Sequence, residues 1–171
     1  MRKFVLMLAI YCSFLITYAD DEYWNQFRGP NGDGKSKAQN LPLEFTESQN
    51  VRWKIPIHDQ GWSSPVVWEK QIWLTTARED GTELFVVCID LESGKVVHDI
   101  KVFDVVEPQL EYPGLNSHAS PTPVVAEGRI YVHFGTYGTA CLDTQTGRKL
   151  WERRDLNCDH RVRPASSPII E

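Results

Sequence analysis

The feature that most limits what this chain can fold into is a repeat. Ser64-Pro65-Val66-Val67 returns as Thr122-Pro123-Val124-Val125, and Ile72-Trp73-Leu74 returns as Ile130-Tyr131-Val132. Cys88-Ile89-Asp90-Leu91-Glu92-Ser93-Gly94-Lys95 returns as Cys141-Leu142-Asp143-Thr144-Gln145-Thr146-Gly147-Arg148. The second copy reads as four strands. Two β-rich runs, 123–126 and 129–134, are joined by Glu127-Gly128, which is hairpin grammar. A third run, 138–142, leads into Asp143–Gly147, where the carboxylate accepts a turn N–H and Gly147 takes a positive φ at no steric cost. The chain then reverses into 149–152.

A third copy opens at Ser167-Pro168-Ile169-Ile170. The repeated prolines Pro65, Pro123 and Pro168 lie 58 and 45 residues apart, the longer interval holding extra loop at 78–81 and 105–114. Units of about 40–50 residues with four strands each are β-propeller blades, whereas two unrelated hairpins in a sandwich need not repeat a turn motif. The expected fold is all-β: a propeller of four-stranded antiparallel blades, two of them over about 62–103 and 118–155, and the first strand of a third from about 165. A ring needs roughly four to eight blades, so the chain reads as the N-terminal part of a longer propeller. Residues 51–54 read as an outer strand whose sheet lies elsewhere. With open edges at 51–54 and 167–170, residues 20–171 alone are expected to aggregate or order only in part.

Ahead of the repeats, 1–19 has the order of a secretory signal peptide. Arg2 and Lys3 precede an apolar run of 13 residues, 4–16, then Thr17-Tyr18-Ala19 and the acidic Asp20-Asp21-Glu22. The run is shorter than the roughly 20 residues of a membrane span, so the expectation is an exported, periplasmic or extracellular protein with a mature N-terminus near Asp20; the competing reading is a short N-terminal anchor. Loss of Arg2 and Lys3 takes the net charge from −5 to −7, and an acidic surface argues against a nucleic-acid partner. Residues 20–50 form an irregular leader. Within it Gly29–Ser36 matches the phosphate-loop pattern G-x-x-x-x-G-K-[ST], but no buried strand precedes it and Ala38-Gln39-Asn40-Leu41-Pro42 is poor helix material. Asn31 and Asp33 hint at a calcium loop, yet Lys35 stands where a third oxygen belongs.

No catalytic or metal constellation emerges. His58, His98, His118, His133 and His160 are scattered singly, without zinc-ligand spacing, and no serine lies in a nucleophile-elbow context. Trp53, Trp68, Trp73 and Trp151 read as packing between sheets. The hydroxyls of 61–65 and 116–121 read as caps of inter-blade turns. Three cysteines follow the signal, Cys88, Cys141 and Cys158. Cys88 and Cys141 occupy equivalent places in adjacent blades, about 9 Å apart and beyond the ~7 Å limit of a disulfide, so both read as small buried apolar residues. Cys158 is left free or paired.

The run Ala140, Asp143, Thr146, Gly147, Trp151 spells A-x-x-D-x-x-T-G-x-x-x-W, and from 51 to 171 the chain resembles the pyrroloquinoline-quinone-type (PQQ-like) propeller repeat; the opening WNQFRGPNGDG resembles the leader of exported bacterial proteins of that kind. The resemblance implies that Asp90, Ser93, Gly94, Asp143, Thr146, Gly147 and Trp151 dock one blade onto the next. Ser93 stands for Thr and His98 for Trp in the first copy, which predicts looser docking there. The repeat serves quinone- and calcium-dependent alcohol or sugar dehydrogenases, and also scaffold propellers such as the outer-membrane assembly lipoprotein that bind protein segments. No adjacent-cysteine pair like the dehydrogenases' is present. The reading is therefore an extracytoplasmic binding or scaffold module with a protein partner, no cofactor and no catalytic residue. The alternative is the N-terminal part of a PQQ-dependent dehydrogenase.

Overall fold

The computed structural model describes residues 23–109, 116–156, 158 and 162–170. The signal segment 1–19 lies outside the described residues. Eight strands form two antiparallel meanders, in the orders β1-β2-β3-β4 and β5-β6-β7-β8. The first comprises β1 (Val66–Trp68), β2 (Gln71–Ala77), β3 (Glu83–Asp90) and β4 (Val96–Asp104). The second comprises β5 (Val124–Ala126), β6 (Arg129–His133), β7 (Thr139–Asp143) and β8 (Lys149–Arg153). These are the two propeller blades that the repeat requires. Glu127 and Gly128 have φ of 49° and 72°, the pair of left-handed residues that a tight hairpin turn demands.

The blades share fine structure as well as strand count. Val66 faces Trp73 and Val124 faces Tyr131; Cys88 faces His98 and Cys141 faces Trp151. A register shift falls at Cys88/Ile89 in one blade and at Cys141/Leu142 in the other. β1 and β5 lie against each other, so the sheets converge on their first strands. Between them runs one apolar core. Val66, Trp73, Leu84, Val86 and Val102 of the first blade pack with Val125, Ile130, Val132, Phe134 and Leu142 of the second. Burial at about 25 cal/mol per Å² of apolar surface drives this stacking, and Phe103 and Phe134 meet edge to face at 6.0 Å.

Three sequence expectations change in detail. Residues 51–58 belong to no strand, because no backbone beside them offers a ladder; side chains hold the segment instead, as described below. Residues 163–170 likewise form no strand, although Ser167 Oγ accepts the Thr122 N–H at 3.0 Å. The leader is not merely irregular. Trp24 and Val67 exchange backbone hydrogen bonds at 3.1 and 2.8 Å, Asn25 O accepts the Val125 N–H at 2.8 Å, and Asn25 Nδ2 donates to Val125 O at 3.1 Å. Tyr23 stacks on Trp68 at 4.2 Å. The leader thus covers the free edges of both convergent strands. The glycine-rich 26–34 is a run of turns closed by Gly29 N–H to Gln26 O, Gly32 N–H to Gly29 O and Gly34 N–H to Arg28 O.

Candidate functional site

An antiparallel meander sends alternate connections to opposite ends of the sheet. One end carries the Asp turns between β3 and β4 and between β7 and β8. The other carries the β2–β3 loop, the β6–β7 connection and the segments that enter β1 and β5.

At the first end, Asp90 Oδ1 accepts Ser93 N–H at 2.7 Å and Ser93 Oγ–H at 2.6 Å, and Gly94 N–H donates to Asp90 O at 2.9 Å. Asp143 Oδ1 accepts Thr146 N–H and Oγ1–H at 2.7 and 2.8 Å, and Gly147 N–H donates to Asp143 O at 2.9 Å. Serine and threonine therefore close the same turn. Hydrogen bonds from the Ser93 side chain and backbone hold the Asp90 carboxyl below its ordinary range, and those from the Thr146 backbone and side chain do so for Asp143. Each turn delivers a glycine to a ring. A β-carbon at Gly94 would lie 2.6 Å from the Trp53 indole; one at Gly147 would lie 2.9 Å from Ile100 Cδ1 and 3.0 Å from His98 Nδ1. Of the seven residues singled out in the sequence, Asp90, Ser93, Asp143 and Thr146 act within their own turns, and Gly94 and Gly147 meet a neighbour. Trp151 is 44% exposed and touches Tyr131.

Sequence reasoning missed the partners. Trp53 Nε1–H donates to Leu91 O at 3.0 Å. The equivalent carbonyl of the second blade, Thr144 O, accepts from Gln71 Nε2 at 2.9 Å, and Gln71 Oε1 accepts from Trp73 Nε1 at 3.1 Å. His98 stacks on Trp73 at 5.7 Å. The hydroxyls expected to cap inter-blade turns act closer to home, Ser63 Oγ with the Thr75 backbone and Ser120 Oγ with Ser117. The bonds that link the repeats go to hydroxyls just outside those stretches, Ser64 N–H to Thr122 Oγ1 at 3.0 Å and Thr122 N–H to Ser167 Oγ at 3.0 Å.

The opposite end holds a cavity of about 770 Å³ lined by Asp59, Arg78, Glu79, Asp80 and Arg163 among others. The residues grouped around Arg163 were not legible as a site. His118 is buried, with the Gly81 backbone against its ring and, among the described residues, no hydrogen-bond partner on either nitrogen. Burial, then the charge of Arg163, pushes its pKa down to about 4. Tyr137, raised by burial, lies 5.8 Å from the His118 ring and accepts Gln109 N–H at 2.6 Å. Asn116 Nδ2 donates to the carbonyls of Arg163 and Pro164 at 3.4 and 3.2 Å. His118 and Arg163 each stand four residues ahead of the repeated hydroxyl, Thr122 and Ser167; that shared offset is the signal that marks them.

Cys88 and Cys141 are buried free thiols, the first pushed up to about 12 by burial, and Cys158 is free and half-buried. Among the described residues no group of three His, Cys, Asp or Glu side chains is placed to hold a metal ion, and no helix is long and apolar enough to cross a membrane.

The family model described as outer membrane protein assembly factor BamB matches residues 45–171. The chain belongs to this PQQ-like repeat family. The family match takes in both blades, both Asp turns and the segment carrying Trp53. Among solved structures, a europium-containing methanol dehydrogenase is 17% identical over 54% of this chain, with a TM-score of 0.38; the chain spans 16% of that enzyme's length. No curated protein matches the chain.

Proposed function

We propose that this BamB-type PQQ-like chain is part of an extracytoplasmic propeller that binds protein segments as a scaffold. The observation that carries the reading is the leader laid across β1 and β5, the strands on which the blades converge, because it leaves the loop end as the free face for a partner. The exposed acidic loops of that face support recognition of a partner. Glu79 and Asp80 are exposed on it, beside a cavity with no Ser, Thr, Cys or Lys among its described lining residues. Exposed loops on a rigid sheet scaffold are where binding residues concentrate.

The described residues do not fit a PQQ group. A quinone that carries several carboxylates would meet Asp59, Glu79 and Asp80 at the cavity, and the convergent strand edges are engaged by the leader. Like charges so placed oppose a polyanion. Export is part of the same proposal and rests on the charged, apolar and small-residue order of 1–19.

Photocrosslinkers at Glu79 and Glu107 in the full-length chain, expressed in its own cell envelope, test the reading. A discrete adduct with an envelope protein, lost when the crosslinker is moved to Glu92 at the opposite end, is the expected result. Dye-linked oxidation of an alcohol or sugar after addition of PQQ and calcium would overturn it.

A further inference from the structure

The cavity at the loop end contains an unmatched cation. Arg163 is 6% exposed, and among the described residues its Nε and Nη2 have no hydrogen-bond partner, while Nη1 donates to Asn116 O at 3.3 Å. A guanidinium taken out of water without an anion is among the costlier arrangements in a fold. Its backbone is also held at φ 69°, a left-handed conformation that a side chain bearing a β-carbon adopts at a cost. Asn116 fastens the carbonyls of Arg163 and Pro164 and so fixes the segment there. Strain and desolvation meet at one residue in a cavity wall.

The two unmatched nitrogens are the pair on one edge of the guanidinium. That edge is a fork for two carboxylate oxygens. Arg153 uses the same edge in this chain, donating from Nε and Nη2 to the two oxygens of Asp155, each at 2.7 Å. The rest of the lining sets the charge of what fits. Arg78 is engaged by Glu83 at 2.6 Å, while Asp59, Glu79 and Asp80 place three carboxylates around the cavity. A dianion or trianion would be repelled; Asp59 and Asp80 already accept from His58 and Thr82, and a ligand that carries donors would add to these contacts where a plain fatty acid would not.

We propose that this cavity binds a monocarboxylate that also carries hydrogen-bond donors, with the Nε/Nη2 edge of Arg163 gripping the carboxylate and Asp59, Glu79 and Asp80 accepting from the donors. A free hydroxy or amino acid and the C-terminus of a peptide share this chemistry. Both nitrogens are closed to water in this conformation, so binding requires Arg163 to turn its fork toward the cavity that the residue already lines. The site does not depend on the scaffold reading.

Titration calorimetry of the full-length chain with glycolate, glycylglycine, acetate, inorganic phosphate and citrate tests the proposal. Glycolate, glycylglycine or both should bind, each more tightly than acetate, with phosphate and citrate weakest. Binding of glycolate alone identifies a small acid as the source, and binding of glycylglycine alone identifies a peptide terminus. Arg163→Met should lower that affinity about thirtyfold or more, the range for truncating one partner of a buried charge pair. It should leave the melting temperature unchanged or higher, because it removes an unpaired buried charge. Should that variant fail to fold, Glu79→Gln at the exposed rim carries the test, and must narrow the preference for glycolate or glycylglycine over acetate. No monocarboxylate binding at about 20 mM, tighter binding of phosphate or citrate, or an affinity unaffected by Arg163→Met overturns the proposal.

Discussion

The first blade is held on its two faces by different means. On one face lies an exposed strap, residues 51–60, fixed at separated points: Arg52 to Glu92 at 2.6 Å, the Trp53 indole on Gly94 and Leu91 O, His58 between Asp59 and Asp99, and a backbone pair between Gln60 and Ala77. On the other face lies the second blade. There the contacts are continuous and dry: Trp73, Leu84 and Val86 against Ile130, Val132 and Leu142. The same glycine-under-ring motif occurs in both. Where the strap has an indole that reaches the carbonyl itself, the joint between blades has His98, which does not, and Gln71 carries the hydrogen bond to Thr144 O in its place. A departure from the repeat at one position is offset at another, 27 residues upstream.

If burial rather than the motif sets the strength of each face, the largest effect belongs to Trp73, which is fully buried and anchors the Gln71 relay. Trp73→Ala should cost about 3–5 kcal/mol, the range for emptying a buried aromatic site. Trp53→Ala, on a half-buried ring, should cost about 2 kcal/mol. Urea midpoints of the full-length chain check the ranking. Equal losses would mean that the ring on the glycine, and not the core beneath it, holds each face.

Next in size is a pH effect in the joint. The folded His118 pKa is pushed to about 4 by burial and by Arg163, below the ordinary 6.5 of the unfolded chain. The unfolded state therefore binds the proton first. The stability contributed by neutral His118 is present above pH 6.5 and is lost as pH falls toward 4, by about 3 kcal/mol across that interval. In His118→Phe that acid loss should shrink markedly between pH 6.5 and 4. An unchanged acid limb would show that the ring is wetter than its geometry implies.

The two glycines compare the faces directly. Both have φ near 70°, so a β-carbon at either pays about 1–2 kcal/mol for the left-handed backbone. At Gly94 the methyl would also strike a rigid indole 2.6 Å away, whereas at Gly147 the nearest atom is the end of the Ile100 side chain. Gly94→Ala should cost about 2–3 kcal/mol and Gly147→Ala about 1–2 kcal/mol. A larger loss at Gly147 would mean that the joint is the more tightly packed of the two at this point.

How much of this was legible follows from sequence separation. The hairpin at Glu127-Gly128 and the turns of Asp90 and Asp143 are closed by residues within five positions of one another, and local pattern was enough to find them. The blade order came from the repeat. Three features could not be read that way. The leader reaches Val67 and Val125 across 43 and 100 residues, and its turn-rich composition carries no pairing signal. The Gln71 relay depends on a carbonyl, and every residue has one. The strand expected at 51–54 had the right side chains but no ladder beside it, and a strand is defined by its neighbour as much as by its own sequence. His118 and Arg163 share a repeat offset, yet a buried unpaired base and a buried unpaired cation run against what composition leads one to expect, and such exceptions gather at functional sites.

The smallest effect is also a pH effect, and it separates the two faces by sign. At His58, in the strap, burial lowers the pKa, but hydrogen bonds and charge from Asp59 and Asp99 outweigh it, and the net shift is upward from 6.5. The folded state holds the proton more firmly than the unfolded chain does. The stability it contributes is therefore fully present below pH 6.5 and is lost as pH rises through the raised folded value. The pairs are largely exposed, at 2.7 and 3.0 Å, and such pairs contribute about 1 kcal/mol or less. So on raising the pH from 5 to 8 the strap should weaken slightly while the joint at His118 gains. A His58→Gln variant should flatten only the alkaline loss, and proton NMR should find the His58 ring titrating above 6.5. Titration at or below 6.5 would mean that the two carboxylates do not hold the charge, and that the strap rests on Trp53 and Gln60 alone.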